Sequence, residues 1–201
     1  MSALRELNRA RPEQFPDPRW YTSLFGNARF APLWLLVRFY LGWQWLGSGW
    51  GKVRGEGWLD GGSALEGYWI RAIEVPEAGR PQITYDWYRD FLQFMLERGW
   101  YDWMAWVVAW GEVIAGLALI IGLLTGLAAL GAAFMNFNFL LAGTASTNPV
   151  MFALAILVVL AWKVAGRIGV DRWLLPALGT PWSPGLVIGL RDPSDEEQVL
   201  I

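Results

Sequence analysis

Arg38, Glu112 and Asn136 are the residues most in need of a chemical explanation. Each interrupts a long apolar run: LVRFYLGWQWLGSGWGK, WMAWVVAWGEVIAGLALIIGLL and GLAALGAAFMNFNFLLAGTA. An ionised group within such a run costs at least ~2.5–3.5 kcal/mol on insertion scales, and it persists when it faces protein, meets a partner or lines a cavity. All three fall near the middle of their runs. An Arg38–Glu112 ion pair with Asn136 at the same depth is therefore the expected arrangement. It has two readings. One is a buried clasp with no ligand. The other is a site for a polar or anionic headgroup, or a proton relay, in which Arg38 holds a carbonyl oxygen or an anion and Glu112 tunes Arg38 or shuttles protons.

The neighbours on each helical face refine this picture. Trp34, Arg38, Trp45, Gly49 and Lys52 share one stripe of the first run. Indoles beside a guanidinium suit cation–π contacts and a flat aromatic guest. Trp34, Trp45 and Tyr40 are candidates to flank such a ring, with Asn136 as a further contact. Ala105, Ala109, Gly116 and Leu119 share the side of Glu112, so that side is expected to face protein, with Trp103, Trp106 and Trp110 toward lipid. Lys52, Arg167 and Arg172 are candidates to attract a small anionic substrate at a membrane boundary, Lys52 on the side opposite the other two. Gly47 and Gly51, and Gly122 and Gly126, have the small-xxx-small spacing of packing sites.

The elements that carry these residues are four apolar runs, about 30–51, 103–124, 126–145 and 149–166, each near the ~20 residues that span a bilayer. Of 201 residues, 55% are hydrophobic and 17% charged, and 15 are Trp. The expected fold is all-α: a polytopic membrane protein of four transmembrane helices in an antiparallel bundle, because the links after the second and third runs are short. The whole chain, 1–201, reads as a single membrane domain. A soluble four-helix bundle is the alternative, but the second to fourth runs lack a polar outer face.

The connection 52–102 is too long for a plain turn. Within it a surface helix is expected over about 84–98. Asp86, Asp90, Gln93 and Glu97 lie on one face, and Tyr85, Tyr88, Leu92, Met95 and Leu96 lie on another, set against the membrane or the bundle. The tail over about 192–201 reads as flexible, and the polar N-terminal arm does not read as a cleaved signal peptide. Counting Lys and Arg per side favours the plasma membrane with both termini cytoplasmic, although Lys52 and Arg54 pull the other way.

Composition also excludes chemistry. With no Cys and no His there is no disulfide, no Cys or His ligation of zinc, haem or an iron–sulfur cluster, and no Ser-His-Asp or Cys-His nucleophile. No metal site is expected. A net charge of -2 gives no footprint for nucleic acid.

The order and spacing of three stretches resemble the DoxX/DoxD family of small four-span membrane proteins: LVRFYLGWQWLGSGWGK, WGEVIAGLALIIGLLTGLAAL, and the segment that ends in GRIGVDRWLLP. The likeness covers about residues 30–180. It implies a four-helix transmembrane bundle. Some members are described as the membrane-embedded subunit of thiosulfate:quinone oxidoreductase, and others are linked to oxidative-stress or membrane redox complexes. It therefore implies a quinone-linked oxidoreductase subunit, with a membrane quinone as cofactor and a small anion such as thiosulfate as electron donor. Its expected partners are the lipid bilayer, a second subunit or soluble redox partner, and a further copy of itself. The alternative is a non-catalytic membrane scaffold or lipid-binding protein that docks a soluble redox partner. A proton-coupled transporter is less attractive without an unwound-helix signal.

Overall fold

A computed structural model describes residues 16–179. The N-terminal arm up to residue 15 and the expected flexible tail over about 192–201 lie outside the described residues. The described chain is helical, without a strand: α1 (Arg19–Gly26), a 3-10 turn (Ala28–Phe30), α2 (Ala31–Arg54), α3 (Ser63–Ile73), α4 (Asp86–Glu97), α5 (Tyr101–Ile121), α6 (Thr125–Leu141), α7 (Asn148–Leu160), α8 (Trp162–Ala165) and α9 (Asp171–Ala177). Pro32 and Pro149 sit in the first turns of α2 and α7, where a missing N–H costs no helical hydrogen bond. Gly122, at φ 71°, terminates α5 in the left-handed conformation that glycine adopts without a Cβ penalty.

Four helices close a ring: α2 packs on α5, α5 on α6, α6 on α7, and α7 back on α2. The α2–α5 seam is the tightest. A Cβ added to Gly49 would lie 2.7 Å from the Val113 nitrogen, and one added to Gly116 would lie 2.5 Å from the Leu46 nitrogen. These glycines let two backbones approach where any side chain would hold them apart. Gly47 and Gly51, which have the expected packing spacing, instead face open space on the outer surface. Ala129, Ala132 and Ala133 give α6 a similarly narrow inner face, against which Trp45, Met151 and Ala155 pack.

The outer surface of the ring is apolar. Leu36 and Trp43 on α2, Val107 and Ile114 on α5, and Leu127 and Phe134 on α6 are all exposed. Length and apolarity together single out one helix among the described residues as able to cross a membrane: α5, with 21 residues and a mean hydropathy of 2.0. The other expected spans differ for local reasons. α2 has the length, but Arg38, Lys52 and Arg54 dilute its apolarity. α6 stops at Leu141 ahead of Gly143 at φ 82°, and the fourth run breaks at Ala161 into α7 and the four-residue α8.

The long connection folds into a cap with its own core. Leu65 and Trp69 of α3, Ile83, and Tyr88, Leu92 and Met95 of α4 pack together and onto Ala105 and Ala142. α3 lies in a segment whose glycines masked its apolar spacing, with Leu65, Trp69 and Ala72 on the buried face. The cap is latched to the end of α6. Tyr68 Oη and Gln82 Nε2 donate to the Ala142 carbonyl at 2.8 and 2.9 Å, and Tyr88 Oη donates to the Asn138 carbonyl at 3.1 Å. The Ala142 carbonyl, at the C-cap, has no partner within the helix and these side chains supply one, whereas the Asn138 carbonyl also accepts from the Ala142 N–H.

α4 occupies Asp86–Glu97, but its apolar side is divided differently from the expectation. Tyr88, Leu92 and Met95 are used up in the core of the cap, and Tyr85 is exposed. A third stripe, Trp87, Phe91 and Phe94, stands exposed between that buried side and the acidic face.

Candidate functional site

Helix register decides which charges meet. Because α2 and α5 run antiparallel, Gly42 lies against Gly116 and Ile120, while Gly49 lies against Ala109, Glu112 and Val113. Glu112 therefore stands at the level of Gly49. Arg38 stands eleven residues lower on α2, roughly 16 Å along the axis at 1.5 Å per residue. The expected Arg38–Glu112 pair does not form, and the matched depth inferred for the three polar residues fails for Arg38. Equal distance from the middle of a run matched depth only on paper, because the two helices are staggered.

Glu112 pairs instead with Lys52. Lys52 Nζ donates to Glu112 Oε2 and to Ser48 Oγ, each at 2.7 Å. The carboxylate is 1% exposed and the lysine side chain 20%, so the pair reaches from the rim of the bundle inward. The Lys52 ammonium also lies 5.2 Å from the centre of the Trp58 ring, in the segment leading into the cap.

Around this pair, three helices turn buried polar atoms inward without a protein partner: Trp45 Nε1 from α2, Glu112 Oε1 from α5, and both side-chain polar atoms of Asn136 from α6. The levels of these residues agree. Gly111 packs on Met135, so Glu112 and Asn136 occupy neighbouring turns of adjacent helices, and Trp45 lies 6.2 Å from Phe139, one turn above Asn136. Buried polar groups are nearly always hydrogen-bonded, so four such atoms in one part of a bundle call for a guest or ordered water. The set offers two N–H donors, one amide oxygen and one carboxylate oxygen, which suits a small oxygen-bearing headgroup.

Arg38 belongs to a second buried cluster at the opposite end of the bundle. Its Nη2 donates to the Ile168 carbonyl at 2.7 Å, and its Nη1 lies against Gly122 and Gly169. Asp171 lies in the same cluster, without a direct ion pair to it. Asp171 also caps α6, accepting from the Leu124 and Thr125 N–H groups at 2.6 and 2.7 Å. The Asp171 N–H in turn donates to the Gly122 carbonyl at 2.8 Å. This cluster ties α2, the α5–α6 turn and the segment before α9 together.

The remaining expected residues divide between these clusters and the surface. Trp34 is buried near the Arg38 end, where its Nε1 donates to the Leu24 carbonyl at 2.8 Å and its ring meets Phe25. It does not share a pocket with Trp45, eleven residues away on the same helix. Tyr40 is 45% exposed on the outer face and flanks nothing inside. Arg167 and Arg172 are exposed at the Arg38 end, opposite Lys52, and the Arg172 guanidinium lies 5.9 Å from the Trp173 ring. Asp171 is the residue that sequence reasoning missed. Its signal was its scarcity: Glu112 and Asp171 are the only carboxylates between Asp102 and Asp192, set against Arg38 and Lys52 on the inward stripe of the first long helix.

The sequence model of the DoxX family matches residues 33–145, more than half of the chain. The match takes in α5, α6, the cap and nearly all of α2, including Lys52, Glu112, Trp45 and Asn136, and it ends before Asp171. No curated protein and no solved structure matches the chain.

Proposed function

The chain belongs to the DoxX family, which is membrane-associated, and from that premise we propose that it is a multi-pass membrane protein that binds a membrane quinone as a subunit of a redox enzyme. The observation that carries the reading is the set of unpartnered donors and acceptors on Trp45, Glu112 and Asn136, enclosed by helices whose outer faces are apolar. Trp45 Nε1 and Asn136 Nδ2 would hold the quinone's carbonyl oxygens. Glu112, kept in place by Lys52, would hold or move a proton at its free Oε1. A bound quinone supplies the two-electron chemistry that side chains here do not.

The source of electrons is proposed to be a small anion such as thiosulfate, delivered by a second subunit. Lys52 is engaged by Glu112, and Arg167 and Arg172 are at the far end, so those three residues do not make an anion site together. The cap, with its own core above the Lys52–Glu112 pair, is the natural place for that subunit to dock. The same observation favours a second reading, a non-catalytic scaffold that uses the cap as its docking surface.

Mass spectrometry of gently purified protein tests the choice. Quinone is expected to co-purify, to be lost in Asn136→Leu, and to be retained in Arg167→Gln. Recovery of bulk phospholipid alone would sink the quinone reading and leave the scaffold.

A further inference from the structure

We infer that the exposed aromatic stripe of α4 is an interfacial anchor, which enters the headgroup–acyl boundary of the bilayer beside the end of α5. Trp87, Phe91 and Phe94 are 60%, 45% and 43% exposed, and their spacing of four and three places them on one face of the helix. They are not a remnant of the cap's core, which already has Tyr88, Leu92 and Met95 from this helix. Asp86, Asp90, Gln93 and Glu97 lie on the next stripe round, beside the aromatics and away from the cap's core, and Arg89 turns to Asp86 and the Ile83 carbonyl.

Two contacts say what covers the aromatic stripe. First, the stripe runs on into the membrane-crossing helix: the Phe94 ring lies 5.6 Å from Trp100, and Trp100 lies 5.9 Å from Trp103. Trp103, Trp106 and Val107 continue the exposed apolar surface down α5, the helix with the length and apolarity of a span. The aromatic residues of α4 are thus held where α5 leaves the hydrocarbon, the level at which Trp and other amphipathic side chains collect. Second, the Arg98 guanidinium lies 4.2 Å from the Phe94 ring centre and 5.8 Å from that of Trp100. A cation over the ring at the edge of an apolar stripe matches lipid phosphate lying just outside the acyl chains. The carboxylates on the neighbouring stripe then face water.

The absence of cysteine allows a direct test, because an introduced thiol is the only one to label. Spin labels at Phe91→Cys, Asp90→Cys and Val107→Cys are examined in the full chain, reconstituted in phosphatidylcholine–phosphatidylglycerol vesicles. The expected result is that oxygen relaxes the labels at 91 and 107 more than a water-soluble nickel chelate does, with the order reversed at 90. A water-exposed label at 91 with a lipid-exposed label at 107 overturns the anchor and leaves the membrane reading of α5 intact. A label at 91 shielded from both reagents also overturns it, in favour of a second protein copy on the stripe. A water-exposed label at 107 removes the membrane reading itself. None of these outcomes depends on quinone binding.

Discussion

Lys52 and Glu112 make a buried pair whose value lies in its completeness. Removing one partner strands the other charge, at a typical cost of 3–5 kcal/mol, as a rough estimate. Lys52→Met is expected to lower the unfolding midpoint strongly, and adding Glu112→Gln to recover most of the loss, when both are measured by thermal unfolding in detergent. A double variant no more stable than Lys52→Met would show that the charges are not coupled. Tyr88 offers a second test at this scale. Burial, and then the nearby Tyr68, push its phenol from 10.0 up to about 12. The folded chain therefore holds this proton more tightly than the unfolded chain. The stabilisation is complete below pH 10 and is lost as pH rises toward 12. Tyr88→Phe is expected to remove on the order of 2–3 kcal/mol of that pH dependence in alkaline unfolding curves.

The inward stripe of Arg38, Trp45, Gly49 and Lys52 could be read from spacing alone, because a 3.6-residue period fixes which residues share a face. The partners could not. With two cations on the inward stripe of α2 and two carboxylates between Asp102 and Asp192, sequence allows either pairing, and only the stagger of α2 against α5 selects Lys52 for Glu112. Spacing along one helix carries no information about the sliding of another.

At the scale of elements, the glycines of the α2–α5 seam set that stagger, and Asp171 sets where α6 begins. One carboxylate both caps α6 and lies in the cluster that holds the buried charge of Arg38. Asp171→Asn is therefore expected to cost more than the ~1 kcal/mol of a lost helix cap, because it also leaves Arg38 uncompensated. Arg38→Met added to Asp171→Asn is expected to restore part of the stability, again read from thermal unfolding. A cost confined to that of a cap would separate Arg38 from Asp171. The long helices of the bundle and α4 were legible from apolar spacing, with ends displaced by a few residues, while α1, α9 and the break between α7 and α8 were not. α3 was not legible, because glycines on both sides of it obscure a buried face of only three residues.

For the molecule as a whole, the two ends of the described chain lie together, with α1 against α8, and the cap lies at the other end of the bundle. Arg19, Arg29, Lys163, Arg167 and Arg172 belong to the first end and Lys52, Arg54, Arg71, Arg80, Arg89 and Arg98 to the cap side; the expectation that the first end is cytoplasmic rests on adding Arg5, Arg9 and Arg11 of the N-terminal sequence to its count. Impermeant thiol reagents are expected to label Glu77→Cys in intact cells and Arg172→Cys only after lysis. The reverse pattern would invert the topology.

The α2–α5 seam has one more consequence, for how this architecture can change. The chain leaves the bundle at Arg54 and re-enters it at Tyr101, on two helices that the glycine contacts fasten side by side. The cap is thus an insertion with neighbouring ends, attached like a cassette between two fixed posts. It can be lengthened, shortened or exchanged with little disturbance to the posts, provided its replacement covers Ala105 and Ala142 and satisfies the last carbonyls of α6. The bundle is the frame that such an arrangement leaves fixed, and the cap is the part whose exchange it would tolerate.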